Sequence, residues 1–223
     1  MARRFDRIAA SKPLVFAACL LPLALLALDI ARGTLGPDPV AQLEHASGIW
    51  ALRLLLATLA VTPLRTLTGW HALVRYRRML GLFAFFYSSL HFAIYLVVDL
   101  GGFWSQILTE IAKKPFITVG FLAWLLMIPL AVTSTKGMMR RLARRWQLLH
   151  RLVYAVGLLA VLHFLWQVKY GETIAVLEPV VYAAIFIVLM LARIPAWLAR
   201  RRVATSARRV GVANGISGSR SGT

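Results

Sequence analysis

Six apolar stretches constrain this chain more than any other feature: Leu14–Ile30, Ile49–Leu64, Met79–Val98, Phe116–Val132, Trp146–Val168 and Ile174–Ile194. Each is close to the ~20 residues that carry a helix across ~30 Å of hydrocarbon, the second and fourth being at the short end. In hydrocarbon every backbone N–H and C=O must be paired internally, so spans of this kind become helices. The expectation is an all-α integral membrane protein, a six-transmembrane-helix bundle. A hydrophobic fraction of 60% and a mean hydropathy of +0.72 place the chain outside the soluble class. The first stretch follows a basic tip, as in a signal peptide, but no small-residue cleavage pattern is evident and five further spans follow it. It is read as a first transmembrane helix.

The net charge of +18 would suggest nucleic acid in a soluble protein. Here the basic residues fall in short bursts between apolar runs, which is a topology signal. Arg3, Arg4, Arg7 and Lys12 occupy the tip, and Arg65, Arg75, Arg77 and Arg78 lie between the second and third spans. Lys136, Arg140, Arg141, Arg144, Arg145 and Arg151 lead into the fifth span, and Arg193, Arg200, Arg201, Arg202, Arg208, Arg209 and Arg220 follow the sixth. Together these are 21 of the 26 basic residues, all on one side. The opposite loops carry Arg32, Lys113, Lys114 and Lys169 among acids, and Arg53 lies within the second span. Both termini are therefore expected in the cytoplasm. The chain reads as a cytoplasmic tip (1–13), a membrane domain (14–198) and a flexible basic cytoplasmic tail (199–223) rich in Gly and Ser. No internal repeat is apparent.

Within the apolar runs three histidines stand out: His91 in the third, and His150 and His163 in the fifth. A polar ring in hydrocarbon is costly and usually functional, and a neutral imidazole is a good ligand for haem iron. Both runs lead outward. His91 lies about 18 Å along the third helix from Met79, and His163 lies shortly before Lys169, so the two rings sit at similar depth in the outer half. They are expected to clamp one b-type haem from two helices. The lone cysteine, Cys19, leaves no route to an internal disulfide, a thiolate cluster or covalent CxxCH haem attachment, so the haem would be held noncovalently.

His150 lies roughly 20 Å deeper toward the cytoplasm and cannot bind the same iron. On an ideal helix it also points about 140° away from His163, so either the helix is irregular there or the two rings serve different surroundings. Ligation of a cytoplasmic-side cofactor and plain interhelical hydrogen bonding are both open for it. His45 and His71 fall in loops or at helix ends, where a solvated ring is the default. Arg53, a few residues inside the second span, either meets a haem propionate or snorkels to the surface. A proton or metal transporter using the intramembrane histidines and a plain membrane anchor are the competing functions.

The runs WALRLLLATLAVTPLR, YRRMLGLFAFFYSSLHFAIYLVVD, KKPFITVGFLAWLLMIPLAVTS and WQLLHRLVYAVGLLAVLHFLWQVK resemble the haem-binding membrane subunits of bacterial periplasmic methionine sulfoxide reductase systems. These form the MsrQ family, within the ferric-reductase-like transmembrane superfamily. The resemblance covers about residues 48 to 170. It implies a multi-pass protein of the bacterial inner membrane with haem b and flavin mononucleotide (FMN) as cofactors. It also implies electron transfer from the quinone pool or a cytoplasmic flavin reductase to a periplasmic molybdopterin-containing catalytic subunit that repairs oxidised envelope proteins. By position, His91, His150 and His163 match the family's functional histidines. Arg77 stands where two-haem relatives carry a histidine on the third helix. Arg77 and Arg78, within the basic cluster, are candidates for a flavin phosphate or anionic headgroups. No glycine-rich dinucleotide motif is present, which argues against a direct NAD(P)H site.

Overall fold

The protein is described by a computed structural model covering residues 2–102, 104–167 and 173–194. The expected tail (199–223) and the outer-loop residues 169–172 lie outside the described residues. The chain divides into two compact units, Met1–Phe186 and Ile187–Thr223. Described parts of the first unit are helical: α1 (Ala2–Arg32), α2 (Pro39–Thr68), α3 (Val74–Ile94), α4 (Trp104–Lys113), α5 (Pro115–Val132), α6 (Lys136–Leu142), α7 (Arg144–Leu149), α8 (Leu152–Gln167) and the start of α9 (Thr173–Leu191). Of the second unit, the described residues are the end of α9 and a turn at 192–193.

Among the described residues five segments are long and apolar enough to cross a membrane: Ala10–Arg32, Pro39–Thr68, His71–Asp99, Pro115–Val132 and Arg144–Gln167. The sixth expected span falls on α9, whose described apolar part, Leu177–Leu191, is shorter. Large apolar side chains cover the outside of these helices, among them Leu14, Leu21, Leu25, Val132 and Leu158. Such a surface needs lipid and would aggregate in water. The chain is a multi-pass membrane protein.

Local signals in the sequence account for the helix ends. Asp38 caps α2 by accepting from the Ala41 N–H at 3.0 Å, and Pro39 opens its first turn. Gly69 closes it in the left-handed conformation (φ 67°), its N–H donating to the Arg65 carbonyl. Pro115 opens α5 in the same way. Two departures from the expected spans matter for the site. First, α3 ends in a π-helical turn, Tyr95–Asp99, immediately after the histidine-bearing turn. Second, the expected continuous fifth span, Trp146–Val168, is broken: α7 stops at Leu149 and α8 starts at Leu152. At the break the Arg151 N–H donates to Leu148 and Tyr154 to Arg151, i→i−3 bonds that tighten the turn. The outer segment 99–114, expected as a loop, also folds in part into α4.

α2 is the most buried helix, with Leu52, Leu54, Leu55, Leu56 and Leu59 all inside. It packs on α3 and α8, while α5 packs on α8 and α3. These four therefore close a ring in the order α2–α3–α5–α8, with α3 and α8 on one diagonal and α2 and α5 on the other. Gly157 lets α8 close onto this ring, since a Cβ there would lie 2.7 Å from Phe186 and 3.2 Å from Leu59. α1 packs outside it against α2 and α3, where the Tyr87 hydroxyl donates to the Cys19 carbonyl at 2.8 Å and accepts from the Leu23 N–H at 3.1 Å.

Candidate functional site

The ring places one histidine on each end of one diagonal: His91 on α3 and His163 on α8. Their ring centres are 6.2 Å apart, with the planes at 75°. The other diagonal holds them in place. His91 Nδ1 donates to the Glu44 carbonyl on α2 at 2.9 Å, with Ser47 Oγ at 3.4 Å, and His163 Nδ1 donates to the Phe116 carbonyl on α5 at 2.7 Å. A carbonyl oxygen can only accept, so each Nδ1 carries the proton and each Nε2 keeps its lone pair. That is how a metal-binding imidazole is oriented and its tautomer chosen.

Metal–imidazole nitrogen bonds are about 2 Å, and a ring nitrogen lies about 1.1 Å from its ring centre, so two rings sharing one metal have centres roughly 6 Å apart. The observed spacing fits a single metal between the two. Among the described residues no group of three or more His, Cys, Asp or Glu side chains converges. Two axial imidazoles suit a metal whose other ligands come from a macrocycle, as in haem.

Two glycines make room for the rings. A Cβ on Gly120 of α5 would lie 2.6 Å from His163 Nδ1, and one on Gly48 of α2 would lie 3.1 Å from His91 Nδ1. Glu44, Ser47, Gly48, Phe116 and Gly120 were not singled out by the sequence reading. The carbonyl donors carry no sequence signal, because every residue has a carbonyl. The glycines do carry one, since a glycine inside an apolar helix marks close approach.

His150 stands apart from this pair. It lies in the break between α7 and α8, its Nδ1 donates to the Trp146 carbonyl at 3.1 Å, and its ring stacks on Trp146 with centres 3.9 Å apart. Its Nε2 is buried and makes no hydrogen bond among the described residues. Arg77 lies close enough to act on it electrostatically. Both alternatives for the fifth span are observed: the helix is irregular at His150, and the two rings have different surroundings.

The remaining candidates are dispersed. Arg53 Nε donates to the Tyr182 hydroxyl at 2.7 Å, and its guanidinium lies 4.9 Å from the centre of the Trp50 ring. His45, expected to be solvated, is half exposed and sits 3.3 Å from Glu178. His71 opens a single exposed turn before α3. Arg78 lines a groove against α1, whereas Arg77 does not line it and lies within electrostatic reach of His150.

A membrane four-helix ring thus presents two oriented imidazoles at single-metal spacing, the geometry of a transmembrane protein with a candidate metal or haem site. Residues 47–161 match the family described as the ferric reductase like transmembrane component. A relative in Xanthomonas euvesicatoria, the protein-methionine-sulfoxide reductase heme-binding subunit MsrQ, is 54% identical over 94% of this chain and 96% of its own length. Subunits of the same name in Xanthomonas campestris (54% identical; 91% of this chain, 94% of theirs) and Bordetella parapertussis (50%; 91% and 96%) are similar throughout. The chain belongs to the MsrQ family within the ferric-reductase-like transmembrane proteins.

Proposed function

We propose that this chain is the haem b electron-transfer subunit of a methionine sulfoxide reductase system, with His91 and His163 as the axial ligands. The observation that carries the reading is the 6.2 Å separation of two imidazoles whose Nδ1 protons are each committed to a backbone carbonyl. The relatives' designation as heme-binding subunits supports it. Bound haem supplies reversible one-electron chemistry. The chain's own residues hold and orient the ligands: Glu44 and Phe116 fix the ring planes, Gly48 and Gly120 allow the close approach, and the apolar surroundings exclude water.

In this reading six helices span the bacterial inner membrane with both termini in the cytoplasm, as the basic bursts require. The outer segments 31–47, 99–114 and 169–173 then face a periplasmic molybdopterin-containing catalytic subunit. Electrons arrive from the quinone pool or a cytoplasmic flavin reductase. Arg53 meets a haem propionate; its Nε is taken by Tyr182, and the other guanidinium nitrogens provide a fork for a carboxylate. For FMN, Arg77 remains the candidate phosphate contact beside His150, since Arg78 turns to the α1 side. His150, with its buried Nε2, serves the cytoplasmic-side cofactor.

The test is a dithionite-reduced minus oxidised spectrum of detergent-purified protein, with a pyridine haemochrome assay to count haem per chain. The expected result is a b-type spectrum that disappears with His91→Ala or His163→Ala. Protein that stays colourless despite ample haem supply would remove the electron-transfer reading and favour a transporter or anchor.

A further inference from the structure

A groove of about 540 Å³ runs between α1 and α3 on the outside of the ring, away from the histidine pair. Its two walls follow the same plan. On α1, Lys12, Phe16 and Leu20 form one stripe at i, i+4, i+8; on α3, Arg75 and Arg78 are followed by Leu82 and Phe86 along the same face. Each stripe is cationic at its amino-terminal end and apolar beyond, and the whole stripe spans about 12 Å on α1 and about 16 Å on α3. No acidic side chain lines it among the described residues.

The two walls are fixed relative to each other at three levels. Ser11 hydrogen-bonds Tyr76 near the charged end, Phe16 packs edge-on against Phe83 at 5.1 Å, and Tyr87 ties into the α1 backbone at Cys19 and Leu23. The groove is thus a built feature, open to the membrane, with an anion-attracting head and a long apolar body. Phe16 and Phe86 line it while remaining well exposed, at 49% and 41%. Lipid tails would cover them.

We propose that this groove binds an anionic phospholipid, its headgroup among Lys12, Arg75 and Arg78 and an acyl chain along Phe16, Leu20, Leu82 and Phe86. Charge complementarity selects the class: a zwitterionic lipid would bring its own cation to an end lined by Lys12 and Arg78 with no acidic side chain among the described lining residues. The bound lipid bridges α1 to the four-helix ring. It therefore cements the peripheral helix to the part that holds the histidines.

Native mass spectrometry of the detergent-solubilised protein, titrated with phosphatidylglycerol, phosphatidylcholine or inorganic phosphate, tests this. Phosphatidylglycerol is expected to bind at one per chain with at least about tenfold preference over phosphatidylcholine, and millimolar phosphate should fail to displace it. A combined Lys12→Gln, Arg75→Gln and Arg78→Gln variant should lose the preference. Leu82→Trp fills the apolar wall and leaves all three cations in place, so it tests the site even if the charge variant does not fold; it should lower occupancy several-fold. Circular dichroism and monodisperse elution verify folding without reference to any cofactor. Equal retention of the two lipids, full displacement by phosphate, or undiminished binding to the Leu82→Trp protein would each overturn the proposal.

Discussion

The two ends of the Arg144–Gln167 span hold their histidines by opposite means. At the Gln167 end His163 is oriented by a carbonyl from another helix, and its neighbour His91 likewise, so both rings are fixed by the packing of four helices. At the Arg144 end His150 Nδ1 donates to the Trp146 carbonyl of its own helical turn and its ring stacks on Trp146, in a break of the helix. The His91–His163 pair is made by tertiary structure, whereas the Nδ1 hydrogen bond and the stacking of His150 both come from Trp146, four residues before it. The difference teaches that the close approach of His91 and His163 depends on the packing of four helices, whereas the Nδ1 of His150 is satisfied within its own turn.

That contrast can be broken most directly by deleting the rings one at a time. Removing His91 or His163 is expected to abolish the reduced b-type signal of the outer site. His150→Ala should leave that signal in place, and a spectrum lost equally in all three variants would erase the distinction. Next in size are the glycine seats. Gly120→Ala puts a methyl 2.6 Å from His163 Nδ1 and should lower haem retention by roughly tenfold or more, since overpacking of this kind costs about 1–3 kcal/mol. Gly48→Ala, at 3.1 Å from His91, should cost measurably less, and haem titration of the two variants gives the order.

A smaller effect is expected from Arg53→Leu, which removes a positive charge from the outer side and should lower the haem midpoint potential by a few tens of mV. Spectroelectrochemistry showing an unchanged potential and unchanged haem content would end the propionate role. Smallest is Tyr182→Phe, which frees the Arg53 Nε and should alter stability by about 1 kcal/mol, seen as a slight drop in thermal midpoint with haem retained.

Much of this was legible because a membrane imposes simple rules. The apolar runs located α1, α2, α3, α5 and α8, and the depth of His91 and His163 along parallel-running helices brought them into register before any packing was known. Helix ends followed from Asp38–Pro39, Gly69 and Pro115, residues whose backbone preferences act locally. Other features had no such signature. The break at His150 and Arg151 lies in a run that is apolar and helix-compatible on both sides, so the ~140° divergence from His163 signalled only that something had to give. The different surroundings of Arg77 and Arg78 were hidden as well, because adjacent residues on a helix look alike in sequence and point about 100° apart.

By itself, then, the sequence determined that the chain crosses a membrane repeatedly and that two imidazoles lie at one depth, because burial in hydrocarbon and the helical rise act through residue type and spacing alone. Only the tertiary structure decided that α2 and α5 would present the Glu44 and Phe116 carbonyls to those rings, and that Gly48 and Gly120 would stand beneath them. The two carbonyls come from residues 47 positions away from the histidines they orient, and only the closing of the four-helix ring brings them within hydrogen-bonding distance.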